Sequence, residues 1–378
     1  MKILIAGGGT GGHVFPGIAV AEELKRQRRD CEVVFVGTRR GLEAQAVPEA
    51  GFPIRFLAGS GFARGRWWLW PWAAIVNLLG FVQALVLVLT ENPKAVLGTG
   101  GYVSAPVSFA ARILGRPLIL QEQNSVPGLA NRVLARFANE VHLSFVEART
   151  HFSRRDHLKV TGNPVRAHIL TGEREPALRE FKLQPGRPTL FVFGGSLGAS
   201  RINEAALDML RRLKNRIEVQ CLLQTGRGEF ERVQAVVAAE QLPVTVLPFV
   251  RKMHMAYAVA DLVVCRSGAM TLAEIAVCGL PSILVPYPYA AHNEQQDNAA
   301  NLVDRGAAVL IPDAELSGER LAKEVAHLLS DRQTLSRMSA NARLFARPDA
   351  AARLARSLLR WADGSVEAVE DPGAGGGR

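Results

Sequence analysis

The feature that most constrains the fold of this chain is a unit that recurs four times: a short apolar run, a glycine-rich turn and a helical pattern. The turns read GGGTGGH after 3–6, GTGGYVSAP after 96–97, GGSLGAS after 190–193 and RSGAMTLAE after 262–265. Such a turn lets the backbone approach an anion closely, and the following helix N-terminus adds free N–H groups. Four units predict a parallel α/β fold with ligands at the carboxyl ends of its strands.

Further apolar runs complete two sets of strands, and they are continuously apolar, as strands covered on both faces are. Strands are predicted at 2–6, 32–36, 95–97, 117–120 and 140–143, and again at 189–193, 219–223, 244–247, 260–265, 282–285 and 308–311. The alternation with helices predicts two Rossmann-like, doubly wound parallel-sheet domains facing a central cleft.

The length of 378 residues fits two domains. The predicted boundaries are 1–163 for the first domain and 164–345 for the second, followed by a C-terminal helix at 346–362 and a disordered tail at 363–378. The tail is predicted from its glycine and acidic residues.

Charge and cysteine content limit the kinds of partner and the cellular compartment that we expect. The 45 Lys and Arg residues outnumber the 35 acidic ones, giving a formal charge of +10 that favours an anionic partner. Nucleic acid is not expected as the partner, because the basic residues are dispersed and it would not explain the glycine turns. The four cysteines have no CxxC spacing, and the N-terminal apolar run is too short for a signal peptide, so the protein is expected in the cytoplasm.

Several polar residues lie just beyond predicted strand ends in the first half. His13 follows the first glycine run, Tyr102 the second, and Asn124 the QEQ segment. Two of them have a structural alternative: a helix-start hydrogen bond for His13 and a packing aromatic for Tyr102. Gly7, Gly9 and Gly12 also fit the dinucleotide pattern GxGxxG, but the acidic residue expected after the second strand is missing, which disfavours a nicotinamide cofactor.

The second half of the chain contains a different set of candidate binding residues. Ser196 lies in the third turn, and Glu274 lies one turn into the helix that follows the fourth. A carboxylate cannot bind phosphate but can accept hydrogen bonds from a ribose diol; the alternative is an acid favoured by the helix dipole. The amides of Gln295 and Gln296 suit sugar hydroxyls. The chain has no D-x-D triplet and no motif with metal-ligand spacing, so we expect neither a metal nor a cofactor.

The segment from Arg64 to Thr90 contains four of the five tryptophans, and its last 24 residues, from Trp67, carry no charge. By length it could span a bilayer, which needs about 20 apolar residues. Polar and helix-breaking residues interrupt it, and the next strand must join the same sheet as the first. A buried helix and a membrane span therefore remain alternatives to the expectation that Arg64, Arg66 and the Trp67–Leu89 region contact the membrane surface.

The motifs GGTGGHVFPG, GGYVSAP, QEQN, GNPVR, GGSLGA and CRSGAMTLAE, followed by Gln295-Gln296, closely resemble the MurG family in that order. The resemblance covers about residues 2–361. It implies the two-domain GT-B fold, with a membrane-facing acceptor domain, a donor domain and a final helix that returns to the first domain. It also implies a peripheral enzyme of the cytoplasmic face of the cell membrane, active in peptidoglycan synthesis, cell shape and cell division.

The resemblance further implies an inverting transfer of N-acetylglucosamine from UDP-N-acetylglucosamine to the 4-hydroxyl of the muramoyl sugar of lipid I, giving lipid II. The residues it places by the donor are Thr10, Gly11, Gly12, Asn124, Arg166, Ser196, Val250, Ala269, Met270, Thr271, Leu272, Ala273, Glu274 and Gln295. The first turn and Tyr102 would face the acceptor diphosphate. His13 is the candidate base, because an imidazole can be neutral near pH 7; its alternative role is a hydrogen bond to a diphosphate.

One departure and two rivals accompany this interpretation. The family commonly has HEQN, whereas Gln121 replaces that histidine here. An isomerase or hydrolase of UDP-sugars on the same fold, such as a 2-epimerase, would share the donor site without needing the apolar segment. A non-catalytic nucleotide-binding module at the membrane would bind UDP without turnover.

Overall fold

The computed structural model describes residues 1–60, 70–290 and 293–365. The first sheet contains β1 (Lys2–Gly7), β2 (Glu32–Gly37), β3 (Ile54–Phe56), β4 (Ala95–Gly100), β5 (Leu118–Glu122), β6 (Glu140–Leu143) and β7 (Leu158–Val160). Its helices are α1 (Gly11–Gln27), α2 (Glu43–Glu49), α3 (Trp70–Glu91), α4 (Ser104–Ile113), α5 (Leu129–Leu134) and the 3-10 helix Val146–His151.

The second sheet contains β8 (Thr189–Phe193), β9 (Gln220–Gln224), β10 (Val244–Leu247), β11 (Leu262–Cys265), β12 (Ser282–Leu284) and β13 (Ala308–Leu310). The remaining helices are α6 (Arg174–Glu180), α7 (Ser200–Leu213), α8 (Phe230–Glu240), α9 (Met253–Val259), α10 (Ala269–Cys278), α11 (Glu294–Val303), α12 (Gly318–Ser330), α13 (Arg332–Phe345) and α14 (Ala350–Asp363). Short 3-10 helices cover Ala167–Thr171 and Asp313–Glu315.

All strand pairs are parallel, and the two sheets follow one plan. The first sheet has the order β3-β2-β1-β4-β5-β6-β7 and the second β10-β9-β8-β11-β12-β13. The strand order therefore reverses direction between β1 and β4 in one sheet and between β8 and β11 in the other. The four glycine turns follow these four strands, so each sheet has a pair of them at its topological switch point, where open α/β sheets bind ligands. The predicted pair of doubly wound sheets is confirmed.

Two strands were missed by the sequence analysis. β3 and β7 are the edge strands of the first sheet, and each has three residues with a charged one in the middle, Arg55 and Lys159. An edge strand is open to solvent on one side and commonly carries charge, so these segments do not show a continuous apolar run. The other strands lie where predicted, with ends displaced by at most three residues.

The first domain takes its core from both ends of the chain. Leu354 and Leu358 of α14 are buried with Ile3 and Ile5 of β1. Glu140 of β6 receives hydrogen bonds from Ser357 and Arg360 of α14, and Lys159 donates to the same carboxylate at 3.0 Å. Helix α14 is thereby fixed to the sheet by apolar packing and by a buried ionic cluster.

Helix α14 also extends into the segment assigned to the tail. It ends at Asp363, whose carboxylate pairs with Arg28 at 2.7 Å, and Gly364 follows in the left-handed region with φ 73°. A glycine after the last helical residue is the usual helix stop. Residues 366–378 of the predicted tail lie outside the described residues.

Helix α3 has a narrow buried stripe and a wide exposed apolar face. Ala73, Gly80, Ala84 and Val88 are buried, and the Gln83 amide oxygen accepts a hydrogen bond from Ala58 N at 2.7 Å. The exposed apolar side chains of this helix are Trp70, Trp72, Ile75, Leu78, Leu79, Val82, Val86 and Leu89, which we call the α3 patch. By length and composition the helix could cross a membrane. Arg64, Arg66 and Trp67, which were also assigned to membrane contact, lie outside the described residues.

Candidate active site

The first glycine turn ends in an uncapped helix N-terminus. Thr10 precedes α1 in an extended conformation without a side-chain cap, and the first turn of α1 contains no acidic residue. The first two glycine turns are also in backbone contact, because a Cβ on Gly101 (φ 81°) would collide with the Gly8 carbonyl. Free N–H groups at Gly11 and Gly12 and the helix dipole make this turn suitable for an anion such as a diphosphate.

His13 lies in the first turn of α1. Its Nδ1 lies 3.2 Å from the Gly8 carbonyl oxygen and 3.5 Å from Thr10 Oγ1. Burial lowers the pKa of His13 below its usual value. A Cβ on Gly100 would lie 2.7 Å from His13 Cδ2 and 3.0 Å from Nε2, so the second glycine turn packs on the imidazole. The ring is thus held in place and is neutral near pH 7.

Tyr102 is 36% exposed and lies beside the first turn. A Cβ added to Gly9 would lie 3.6 Å from its Cε1, and a Cβ on Gly59 would lie 3.2 Å from its Cδ2. The ring therefore packs over two glycines at the mouth of the turn. A Cβ on Gly59 would crowd the ring, whereas one on Gly9 would make an ordinary van der Waals contact with it.

Glu43 was missed by the sequence analysis. Its side chain is fully buried beneath the first turn, where the carboxylate accepts hydrogen bonds from Gly9 N at 2.9 Å, Thr38 N at 2.8 Å and Thr38 Oγ1 at 2.9 Å. A Cβ on Gly8, Gly37 or Gly41 would collide with this side chain. The glycines around Glu43 were the available signal, but nothing in the sequence placed them about one carboxylate.

Asn124 links the two domains. Its Oδ1 accepts a hydrogen bond from Asn298 Nδ2 of α11 at 3.1 Å, and Asn298 Oδ1 accepts from Ser125 N at 2.9 Å and Ser125 Oγ at 2.8 Å. Asn298, also missed by the sequence analysis, is fully buried. Three reciprocal hydrogen bonds therefore fix the position of the Asn124 amide.

Glu122 supports the same loop from beneath. Its carboxylate accepts from Asn124 N at 3.0 Å, Gly128 N at 3.3 Å and Asn131 Nδ2 at 2.8 Å. Burial raises the pKa of the Glu122 carboxyl to about 7, although these hydrogen bonds oppose the shift. Glu122 therefore orients the Asn124 backbone.

The fourth glycine turn leads into α10, which contains the predicted run from Ala269 to Glu274. Gly268 precedes the helix in an extended conformation without a side-chain cap. Leu272 is fully buried and faces the core, and Ala269 and Met270 are also buried, whereas Thr271 and Ala273 are half-buried. The Leu272 N–H donates to the Gly268 carbonyl at 3.0 Å, so neither the side chain nor the N–H of Leu272 is free for a ligand.

Glu274 is buried one turn into α10. Tyr257 Oη donates to its Oε2 at 2.9 Å, and Arg166 Nη2 lies 3.7 Å from its Oε1. Burial raises the pKa of the Glu274 carboxyl, against the opposing charge of Arg166. The Arg166 guanidinium also lies 4.2 Å from the ring centroid of Phe15 in α1, so it contacts both domains.

The other predicted residues lie on loops around α10. Ser196 is exposed on the third glycine turn, and Val250 is buried with its N–H donating to Gln224 Oε1 at 2.8 Å. Gln295 Oε1 accepts from Tyr287 N at 3.0 Å, and its carbonyl accepts from Ser267 Oγ at 2.7 Å; Gln296 is exposed. Within residues 1–60, 70–290 and 293–365, no group of three or more His, Cys, Asp or Glu side chains could hold a metal ion.

Family models match both halves of the chain. The glycosyltransferase family 28 N-terminal domain matches residues 3–143, and the glycosyltransferase family 28 C-terminal domain matches residues 189–354. A relative from Chlorobaculum parvum, named UDP-N-acetylglucosamine–N-acetylmuramyl-(pentapeptide) pyrophosphoryl-undecaprenol N-acetylglucosamine transferase, is 44% identical over 95% of this chain and 99% of its own length. The crystal structure of Acinetobacter baumannii MurG matches with a TM-score of 0.75 and 31% identity over 95% of this chain and 99% of that chain. The chain belongs to the MurG family.

Other solved structures resemble the chain in fold alone. A crystal structure of UDP-N-acetylglucosamine 2-epimerase aligns with a TM-score of 0.72 over 98% of both chains, but the sequence identity is 15%. The match to Acinetobacter baumannii MurG, in contrast, combines a similar TM-score with 31% identity over nearly the whole chain.

Gln121, the departure from the MurG family pattern, is a buried structural residue here. Its Nε2 donates to Asn163 Oδ1 at 3.0 Å and to Ser144 Oγ at 3.2 Å. Its Oε1 accepts from the neighbouring Gln123 amide. The amide therefore connects β5 with the segment that leaves the first domain.

Proposed function

We propose that the protein transfers N-acetylglucosamine from UDP-N-acetylglucosamine to the 4-hydroxyl of the muramoyl sugar of lipid I, with inversion, and so produces lipid II for the cell wall. The proposal rests on one observation: a relative that matches 95% of the chain at 44% identity carries the name of this transferase. The paired glycine turns at the two switch points supply the anion sites that a sugar nucleotide and a lipid diphosphate need.

The donor is assigned mainly to the second domain. Glu274 would accept hydrogen bonds from the ribose diol, Arg166 and Ser196 would contact the nucleotide, and the Val250 backbone would meet uracil. The N–H groups of Ala269, Met270 and Thr271, at the uncapped start of α10, would stabilise the diphosphate as charge grows on the leaving UDP, and Leu272 and Ala273 complete the turn that is assigned to the donor. Asn124, Gln295 and the start of α1 from Thr10 to Gly12 are assigned to the donor side of the cleft, with the two amides on the sugar.

The acceptor is assigned to the first domain. The 4-hydroxyl oxygen attacks the anomeric carbon, the bond from that carbon to UDP breaks, and the hydroxyl proton passes to His13. The lowered pKa of His13 leaves the imidazole neutral and ready to take that proton near pH 7. Tyr102, at the mouth of the same turn, is assigned to the acceptor.

Contact with the cytoplasmic face of the cell membrane is assigned to the α3 patch. The patch is a continuous apolar face on one side of α3, and the free cysteines of the chain fit a reducing compartment. Exposed Leu129, Val133 and Phe137 lie on or after α5, with Arg132 and Arg136 exposed among them. Bulky apolar residues beside arginines favour the interface of an anionic bilayer. Such a surface would bring the lipid-linked acceptor to the first glycine turn.

The decisive experiment incubates the purified protein with UDP-N-acetylglucosamine and a short-chain lipid I analogue, with and without a chelator. Mass spectrometry should detect the disaccharide product and UDP in equal amounts in both reactions. Omission of the acceptor separates the rivals, because a transferase should then be nearly inert whereas a 2-epimerase or hydrolase would still consume the donor. UDP binding without any product would contradict the proposed transfer.

A further inference from the structure

The peptide group between Gly8 and Gly9 connects Glu43 with His13. The N–H of this peptide, on Gly9, donates to Glu43 Oε2 at 2.9 Å. The carbonyl of the same peptide, on Gly8, lies 3.2 Å from His13 Nδ1. A carbonyl oxygen can only accept a hydrogen bond, so Nδ1 must carry the hydrogen in this contact. The remaining ring nitrogen, Nε2, is then unprotonated and free to accept a proton.

We propose that Glu43 is a positioning residue for His13, which acts through the Gly8–Gly9 peptide to hold the imidazole as its Nδ1–H tautomer with Nε2 as the basic nitrogen. The inference rests on the proposed role of His13 as the base. In many other sites a carboxylate orients a histidine by direct contact. Here the buried carboxylate would orient the imidazole through one intervening amide.

The surroundings of Glu43 are built around its carboxylate. Three donors face it: Gly9 N–H, Thr38 N–H and the Thr38 hydroxyl. The three glycines on its other sides, Gly8, Gly37 and Gly41, leave the space that the side chain fills. A neutral amide of the same shape presents an NH₂ group to at least one of these donors, so a glutamine cannot reproduce the set.

The negative charge also strengthens the connection. A hydrogen bond from Gly9 N–H to a carboxylate is stronger than one to a neutral acceptor, and it polarises the peptide so that the Gly8 carbonyl becomes a better acceptor for Nδ1–H. Gly9 itself has φ 90°, a conformation that few residues other than glycine adopt, and this orientation directs the N–H of the peptide inward to Glu43.

The test compares Glu43→Gln with Glu49→Gln, which makes the same charge change at the exposed end of the same helix, α2. We expect Glu43→Gln to lower kcat about tenfold or more, with the KM for UDP-N-acetylglucosamine within about twofold, and Glu49→Gln to leave both unchanged. Nitrogen-15 NMR of protein labelled at histidine, assigned by comparison with His13→Ala, should show the Nδ1–H tautomer in the wild-type chain and a smaller population of it in Glu43→Gln.

The wild-type tautomer decides the inference even if Glu43→Gln does not fold. An Nε2–H tautomer in the wild-type chain would overturn it. So would a Glu43→Gln variant with the kcat of Glu49→Gln, or one that loses kcat while its tautomer stays unchanged, because the effect would then come from the loop alone. If the wild-type chain makes no disaccharide, the proposed function fails, whereas the NMR measurement still reports on Glu43.

Discussion

The two pairs of glycine turns have the same place in their sheets but different support. In the first domain, buried side chains brace the turns: Glu43 lies beneath the first and His13 packs on the second. In the second domain, the third turn packs on backbone, since a Cβ on Gly198 would collide with the Thr225 carbonyl of the loop after β9. Polar side chains hold both turns there: Gln224 Nε2 donates to the Gly195 carbonyl at 2.9 Å, and Arg266 pairs with Asp313 at 2.6 Å. One backbone plan therefore supports a site with acid–base side chains in one half and a ligand cradle in the other.

The helices that follow the first and fourth turns show the same contrast position by position. The fourth residue of each is buried, Val14 in α1 and Leu272 in α10, because both helices pack on a sheet. The third residue is His13 in α1 and Thr271 in α10, and the sixth is Pro16 in α1 and Glu274 in α10. The chemical groups thus differ at the third and sixth positions, whereas the buried fourth position is apolar in both helices.

The substitution His13→Ala is the strongest test of this contrast between the two halves. If the first pair supplies the base, we expect kcat to fall by about 10²–10⁴-fold with little change in donor affinity. The pKa of His13 is lowered, so the wild-type rate should be full at pH 7 and fall only below about pH 6.5, as the ring gains its proton. Steady-state kinetics measures kcat and its pH dependence, and calorimetry measures the affinity for UDP. His151→Ala, at an exposed histidine, is the control. Weaker UDP binding with unchanged turnover would show that His13 binds the donor and is not the base.

The anchoring of α14 to the first domain is tested by Glu140→Gln. Burial by itself raises the pKa of the Glu140 carboxyl, but hydrogen bonds with His142, Ser357 and Lys159 outweigh it, and the pKa lies well below its usual value. The stabilisation is therefore complete above the unfolded pKa of about 4.3 and is lost as the pH falls through the lower folded value.

We expect Glu140→Gln to cost about 3 kcal/mol at pH 7, since it leaves Lys159 and Arg360 without their carboxylate, and less at pH 3. Denaturant unfolding at the two pH values measures the difference. Glu147→Gln, at a half-exposed carboxylate 3.8 Å from Arg305, is the control. An equal cost at both pH values would show that the charge of Glu140 does not stabilise the fold.

The donor half is tested by Glu274→Gln. The variant keeps the shape but loses the charged acceptor proposed for the ribose, so the KM for UDP-N-acetylglucosamine should rise about 10- to 100-fold. The KM for the acceptor should not change, which is the opposite of the His13 result. Glu231→Gln, at an exposed residue of α8, is the control. If acceptor binding falls in parallel, the division of labour between the halves is wrong.

The membrane assignment concerns the first half alone, and Leu78→Glu tests it. Leu78 is 64% exposed in the α3 patch, so the change should not disturb the core. Removing one inserted leucine should weaken binding to anionic vesicles about tenfold, as expected from about 1.5 kcal/mol of apolar burial. Leu344→Glu, at a 78% exposed leucine of α13, should have no effect in the same sedimentation assay. Equal losses for both variants would indicate non-specific adsorption.

The sequence was most informative where the physical signal is local. Eleven strands and the four glycine turns could be recognised because each depends on a run of neighbouring residues. The short edge strands around Arg55 and Lys159 could not, because their pairing is set by the sheet. Glu43 and Asn298 were missed for the same reason: their hydrogen bonds reach 34 and 173 residues along the chain.

The order of strands, turns and helices in the sequence determined the class of fold and the ends of the strands at which ligands bind, because apolar periodicity and glycine conformations are properties of short segments. Tertiary structure alone decided which side chains support each turn. Only the packed sheets bring Glu43 under Gly9, Asn298 onto Asn124 and Arg166 between the two domains, since hydrogen bonds between distant segments form when the chain has folded.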